Sequence, residues 1–269
     1  HGLICKGLKD TTITIYYSVD VGVAHAALEV ECVDCFNVTI KRVFYVAQAA
    51  VLNTYTLLQV SDASSVSVFD HNTKNLGRIL DFVDANVQAN SLYLGLNQSY
   101  FSQNSRFQQR VFIKGEQALV RLHGLGVQEP KQQLFYNTHI HHLVGETESH
   151  QLFKSLNKDK STFEYNGKVT VARDAQKINS YQLNQNIILD DTAHVYSRPQ
   201  LFIDADDVKC THGSTTGDLN EEEIFYLRSR GLDELSSRKL ALKGFINDVF
   251  NQSNFEPNTD MVPCLDKVL

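Results

Sequence analysis

The chain has 269 residues, 42% hydrophobic and 21% charged, enough apolar surface for one large core or two modest ones and no bias toward disorder. A net charge of −6 with no Lys/Arg block argues against nucleic acid as a partner. No apolar run approaches the roughly 18 residues of a membrane-spanning helix, so no membrane insertion is expected.

The amino terminus, HGLICKGLKD, lacks a signal peptide's apolar region and cleavage site, and its abrupt start reads as a chain whose natural amino-terminal region is missing. Five cysteines, Cys5, Cys32, Cys35, Cys210 and Cys264, are odd in number and scattered, which is no disulfide framework and points to a reducing compartment. Cys32 and Cys35 lie in LEVECVDCFNVTI, which reads as a strand with residues three apart on opposite faces. Only a turn between them would let them chelate together, and no second Cys or His pair stands at zinc spacing, so they read as structural.

From residue 11 to residue 210 short β-branched and aromatic runs recur: TITIYYSV, NVTIKRVFYVAQ, SVSVFD, SLYLGL, QRVFIK, ALVRLHGLGV, KVTVA, NIILD, HVYS and QLFID. Turn residues separate them, so this part reads as all-β. Asn90, Asn97, Asn104, Asn137, Asn166, Asn179, Asn184 and Asn186 are read as lying between strands. Apolar centres at Val171, Ile188 and Ile203 are irregularly spaced, which suits the stacked coils of a parallel β-helix better than matched hairpins. A β-sandwich is the rival, but Asn166-Gly167 is the single two-residue hairpin signal of its kind. Along NTHIHHLVGE, a strand puts His139 and His141 on one face and His142 on the other, too few for a closed metal site.

After Gly217 the period changes. Asp218 or Asn220 caps a helix carrying Ile224, Phe225 and Leu227, Gly231 ends it, and Asp233 caps a second. Leu242, Phe245, Ile246, Val249 and Phe250 form one apolar stripe on that second helix, expected to pack onto the end of the β-domain and cover its open edge. The expected division is a β-helix core over residues 1–217 and a helical domain over 218–269.

The chemistry-bearing tract is DDVKCTHGSTTGDLNEEEIFYLRSRG. GSTTG lacks the Lys of a phosphate loop, and His212 stands where a nucleophile elbow needs Gly, so neither nucleotide binding nor hydrolysis is supported. His212 lies where the β-domain meets the helices, two residues after Cys210; imidazole and thiolate are both competent toward iron. Asp190, Asp191, Asp204, Asp206 and Asp207 offer a rival reading as a carbohydrate-active β-helix enzyme, and a ligand-free structural solenoid is another.

The tracts FEYNGKVTVARDAQKINSYQLNQNIILD, SRPQLFIDADDVKCTHGSTTG and EEEIFYLRSRGL resemble the SufB/SufD family of iron–sulfur cluster assembly scaffolds. That resemblance implies a right-handed parallel β-helix with a C-terminal helical domain, in a non-catalytic subunit that binds no nucleotide itself. It implies a SufB-like paralogue as heterodimer partner, a homodimer when isolated, and a SufC-like ABC ATPase docked on the helices through Ile224, Phe225, Tyr226, Leu227, Arg228 and Arg230. It further implies a transient iron–sulfur cluster at the interface, with His212 as metal ligand and Cys210 beside it, in the cytoplasm or a plastid stroma. SufB-type chains carry Glu on both sides of the histidine and Cys at the position of Asn184; K-C-T-H-G is similar to the SufD-type pattern instead.

Overall fold

The computed structural model describes residues 2–73, 75–253 and 255. Cys264 and the end of the expected helical domain therefore lie outside the described residues. Strands come in successive pairs, one pair per coil: β1 (Gly2–Lys6) and β2 (Thr12–Val19), β3 (Val23–Val33) and β4 (Val38–Val46), β5 (Val51–Val60) and β6 (Ser65–Thr73), β7 (Arg78–Val87) and β8 (Leu92–Tyr100). They continue as β9 (Asn104–Ile113) and β10 (Leu119–Val127), β11 (Gln133–His142) and β12 (Glu148–Asn157), β13 (Thr162–Val171) and β14 (Ile178–Ile188), β15 (His194–Ile203) and β16 (Val208–Gly217). Odd strands form one parallel sheet and even strands the other, so the body is a parallel β-solenoid of eight coils. Coil length varies: Arg78 pairs with Asn104, 26 residues on, and Thr162 with His194, 32 on. That variation produced the irregular apolar spacing, since Val171, Ile188 and Ile203 fall in successive half-coils.

Several local expectations are corrected. Of the asparagines read as separators only Asn90 occupies a corner, at φ 56°, while Asn97, Asn104, Asn137, Asn166, Asn179, Asn184 and Asn186 lie inside strands. Asn166-Gly167 is likewise no hairpin turn but the middle of β13. HVYS and QLFI are one strand, and the short polar Cys-Thr-His segment is strand β16. LEVECVDCFNVTI is not continuous either: β3 stops at Val33, Asp34 takes φ 51°, and Cys32 and Cys35 both turn inward. Asp tolerates this left-handed geometry better than most residues.

The solenoid interior mixes apolar and polar columns along its length. Val38, Val66, Tyr93, Val120, Ser149, Ser180 and Cys210 stack in one column. In another column Arg42 stands over Asp70 and then Asn97. The Arg42 guanidinium, 1% exposed, donates to Asp70 at 2.6 Å and to Asp81 at 2.8 and 2.9 Å, and Nη1 reaches the Thr56 hydroxyl at 3.1 Å. Thr54 donates to Asp81, Asn97 to Asp70, and Tyr136 to Asn97 at 2.8 Å, which carries the network across both sheets. Each buried charge is paired and its remaining acceptors filled, the condition under which such groups are tolerated.

Two helices follow, α1 (Glu221–Ser229) and α2 (Glu234–Ser253). The Asn220 side chain accepts from the Glu222 and Glu223 amides, Asp233 accepts from the Ser236 amide at 2.8 Å, and Gly231 at φ 99° separates the helices. Leu242, Ile246, Val249 and Phe250 bury against Leu96, Leu125, Val127, Leu152 and Leu156, a second core on the outer face of the even sheet. Each such side chain contributes about 1.5–3 kcal/mol. The stripe therefore covers a flank of the solenoid, not its open end, because the middle strands offer outward-facing leucines and β16 does not. Lys154 on β12 reinforces the seat, its ammonium 2.7 Å from Asp248 and 4.4 Å from the centre of the Phe245 ring.

Candidate functional site at the end of the solenoid

With α2 on the flank, β15 and β16 each have one sheet neighbour among the described residues, β13 and β14 respectively. Cys210, His212 and Ser214 register with Ser180, Gln182 and Asn184, all of which point into the solenoid. The three thus belong to the inward-facing set of a coil on which no further coil stacks among the described residues, and His212 is exposed while Cys210 is half-buried. Two residues along a strand are roughly 7 Å apart on one face. Burial pushes the Cys210 thiol up, against a Ser180 backbone hydrogen bond that lowers it, so this sulfur is a thiol rather than a ready thiolate. Across the open end, the Ser214 hydroxyl donates to that of Ser197 on β15 at 2.8 Å. Ser197 and the buried Gln182 beneath His212 escaped sequence reasoning; strand parity applied from His212 would have found Ser214, but nothing local marks the register of β15.

The residues expected to dock an ATPase divide. Phe225 is 74% exposed and Tyr226 55%, with Arg230 stacked 5.2 Å from the Tyr226 ring centre, and Arg228 is also exposed. Leu227 is partly covered. Ile224 is corrected from the outward set, since at 2% exposure it joins the core beneath the helices and anchors α1.

The other candidate clusters have structural partners. Cys5 and Cys32 are register neighbours, and the Cys35 thiol donates to the Cys5 carbonyl at 3.3 Å; burial raises Cys5 and Cys32, which keeps both protonated. His139 and His141 share the outer face as expected, their rings 3.6 Å apart, and His142 is buried between the Thr147 and Ser149 hydroxyls at 2.7 and 2.8 Å. Among the described residues no three His, Cys, Asp or Glu side chains are grouped to hold a metal ion. A metal at His212 would therefore need donors from outside this set.

Residues 23–245 match the family model described as SUF system FeS cluster assembly, SufBD core domain. The chain belongs to the SufB/SufD family. An iron-sulfur cluster assembly protein SufD of Escherichia coli is 35% identical over 133 residues, covering 49% of this chain and 31% of that protein. An iron-sulfur cluster assembly SufBD family protein of Synechocystis is 39% identical over 113 residues, 42% of this chain and 24% of the relative. A Plasmodium falciparum SufD is 31% identical over 146 residues, 54% of this chain and 10% of the relative. The aligned stretch thus spans less than a third of each relative. In this SufB/SufD member the family match takes in both the solenoid from β3 onward and α1, with His212 between them, and the SufD relatives agree with its SufD-type K-C-T-H-G.

Proposed function

We propose that this chain is a SufD-type scaffold subunit of an iron–sulfur cluster assembly complex. Its body ends at Gly217, and the helical appendage from Asp218 docks a SufC-type ABC ATPase through the exposed Phe225, Tyr226, Arg228 and Arg230, with Leu227 at the margin. The last coil pairs with a SufB-type paralogue, or with a second copy of this chain when the paralogue is missing. The observation that carries the reading is His212, an exposed imidazole in the inward set of an unpaired terminal coil, where another subunit can bring further donors to it. The nascent cluster is cargo, held between His212 and thiolate or carboxylate groups of the paralogue, with Cys210 beside it.

The mechanical part follows from continuity of the chain. Three residues separate β16 from α1, so a force applied to the helices by ATP-driven closure of two ATPase subunits reaches the terminal strand through Asp218, Leu219 and Asn220. Shear of the interface with the paralogue then opens the ligands that pairing has covered to iron and sulfide. This chain supplies a lever and one ligand, and no turnover of its own.

The test is co-purification of the full chain with SufB- and SufC-type partners, followed by cluster reconstitution read by absorbance. The His212→Ala variant assembles normally and loses most of the recovered cluster. Normal cluster yield from that variant removes the role of the imidazole, and failure of the wild-type chain to capture either partner removes the scaffold reading.

A further inference from the structure

We propose that the outer face of the odd sheet carries a binding site for a small phosphate-type oxyanion, bounded by Arg110, His139 and Lys168. Parallel register sets Arg110, His139, Lys168 and Gln200 in one outward row across β9, β11, β13 and β15, with Gln108, Asn137 and Asn166 in the adjacent row. Neighbouring strands in a sheet are about 4.8 Å apart, so each row is a short ladder of N–H donors. Between the rows lies a cavity of about 210 Å³ whose lining contains no Asp or Glu and no apolar side chain. A tetrahedral oxyanion asks for this set, several N–H donors converging with cationic charge close by.

The cations are held in place. Asp84 takes Nε of Arg110 at 2.7 Å and also Nη2, which fixes the guanidinium and leaves Nη1 outside the pair. The Lys168 ammonium lies 4.2 Å from the centre of the Phe202 ring. His139 is oriented by the Thr170 hydroxyl at 2.8 Å from Nε2. Burial, together with His141, Lys168 and Arg110, holds its pKa to about 4, so near neutral pH the ring is an uncharged donor or acceptor in a positive field. On these four strands Arg106, Arg110, Lys168 and Arg198 point outward against Glu164, with Asp84 of neighbouring β7 paired to Arg110, although the chain is acidic overall. Arg110, His139 and Lys168 lie on the odd sheet and His212 on the even sheet, so the scaffold reading uses none of these three, and Gln200 alone shares the terminal coil with His212.

Calorimetric titration of the full chain with inorganic phosphate and, separately, with adenosine monophosphate at matched ionic strength tests it. Saturable binding of at least one is expected, weakened by about tenfold or more in Lys168→Glu and unchanged in Lys160→Glu, a charge reversal at an exposed corner. Binding of phosphate alone identifies the free ion as the ligand, and binding of the nucleotide alone identifies a phosphate monoester. No saturable binding of either at millimolar concentration overturns the proposal, as does an equal loss in both variants, which would reveal diffuse attraction without a site.

Discussion

Arg42 is enclosed with two carboxylates, so its worth lies in what its removal leaves behind. Burial works to lower its pKa, yet Asp70 and Asp81 outweigh that and hold it well above its ordinary value; burial raises Asp70 in turn, opposed by Arg42. Arg42→Leu strands both acids in the interior and is expected to cost about 3–5 kcal/mol in urea unfolding, whereas simple loss of packing would cost less. His142 gives a second test at this scale. Burial, then the nearby His141, lowers its pKa from 6.5 to about 4, so over that interval the unfolded chain binds a proton that the folded chain refuses. Stability is therefore full above pH 6.5 and declines as the pH falls toward 4, by up to about 1.4 kcal/mol per pH unit. Unfolding titrations at several pH values should show this slope, and His142→Gln should remove one histidine's share of it while the shares of His123 and His139 remain.

Corners are as constrained as strands. Gly115, between β9 and β10, sits so close to Ala89 of the preceding coil that a Cβ would meet the backbone nitrogen and Cα of that residue. Backbone cannot swing aside as a side chain can, so Gly115→Ala should destabilise by about 1–3 kcal/mol, read as a lowered urea midpoint. The same stacking explains which elements the sequence revealed. β2, β4, β6 and β10 were legible because their inward residues are mostly Val, Ile, Leu or aromatic. β5, β7 and β12 were not picked out, and β3 and β11 only through their cysteine and histidine tracts: small, charged or polar residues such as Ala26, Thr54, Asp81, Thr138 and Gln151 hold positions facing the interior, where Thr54 bonds to Asp81 one coil away and Thr138 to Gln151 on the opposite wall. β16 was hidden for another reason, since Lys209, Thr211, His212 and Thr215 are an exposed edge with no hydrophobic alternation to display. The helices were plain because their caps and the α2 stripe are local signals, while the flank that α2 covers was set by Leu96, Leu125 and Leu152, far away in sequence.

At the scale of the whole molecule, the helices and the solenoid meet, among the described residues, through an apolar seat and the Lys154–Asp248 ion pair. Lys154 has little access to water, and Asp248 is partly exposed, so solvent screens part of their attraction. Lys154→Ala should loosen α2 by about 1 kcal/mol, seen as faster amide hydrogen exchange in 234–253 with exchange of β7 to β12 unchanged. A uniform rise throughout the chain would mean that seat and solenoid melt together.

The unequal coil lengths carry a last implication. In the backbone ladders each coil pairs with the one before and the one after, and the corners already absorb length differences of several residues between neighbours. Whole coils can then be gained or lost at the amino-terminal end, outside the Arg42 network and the α2 seat, with little disturbance at the far extremity. A lineage could tune how far its two ends stand apart while the histidine-bearing terminus and its attached lever stay the same.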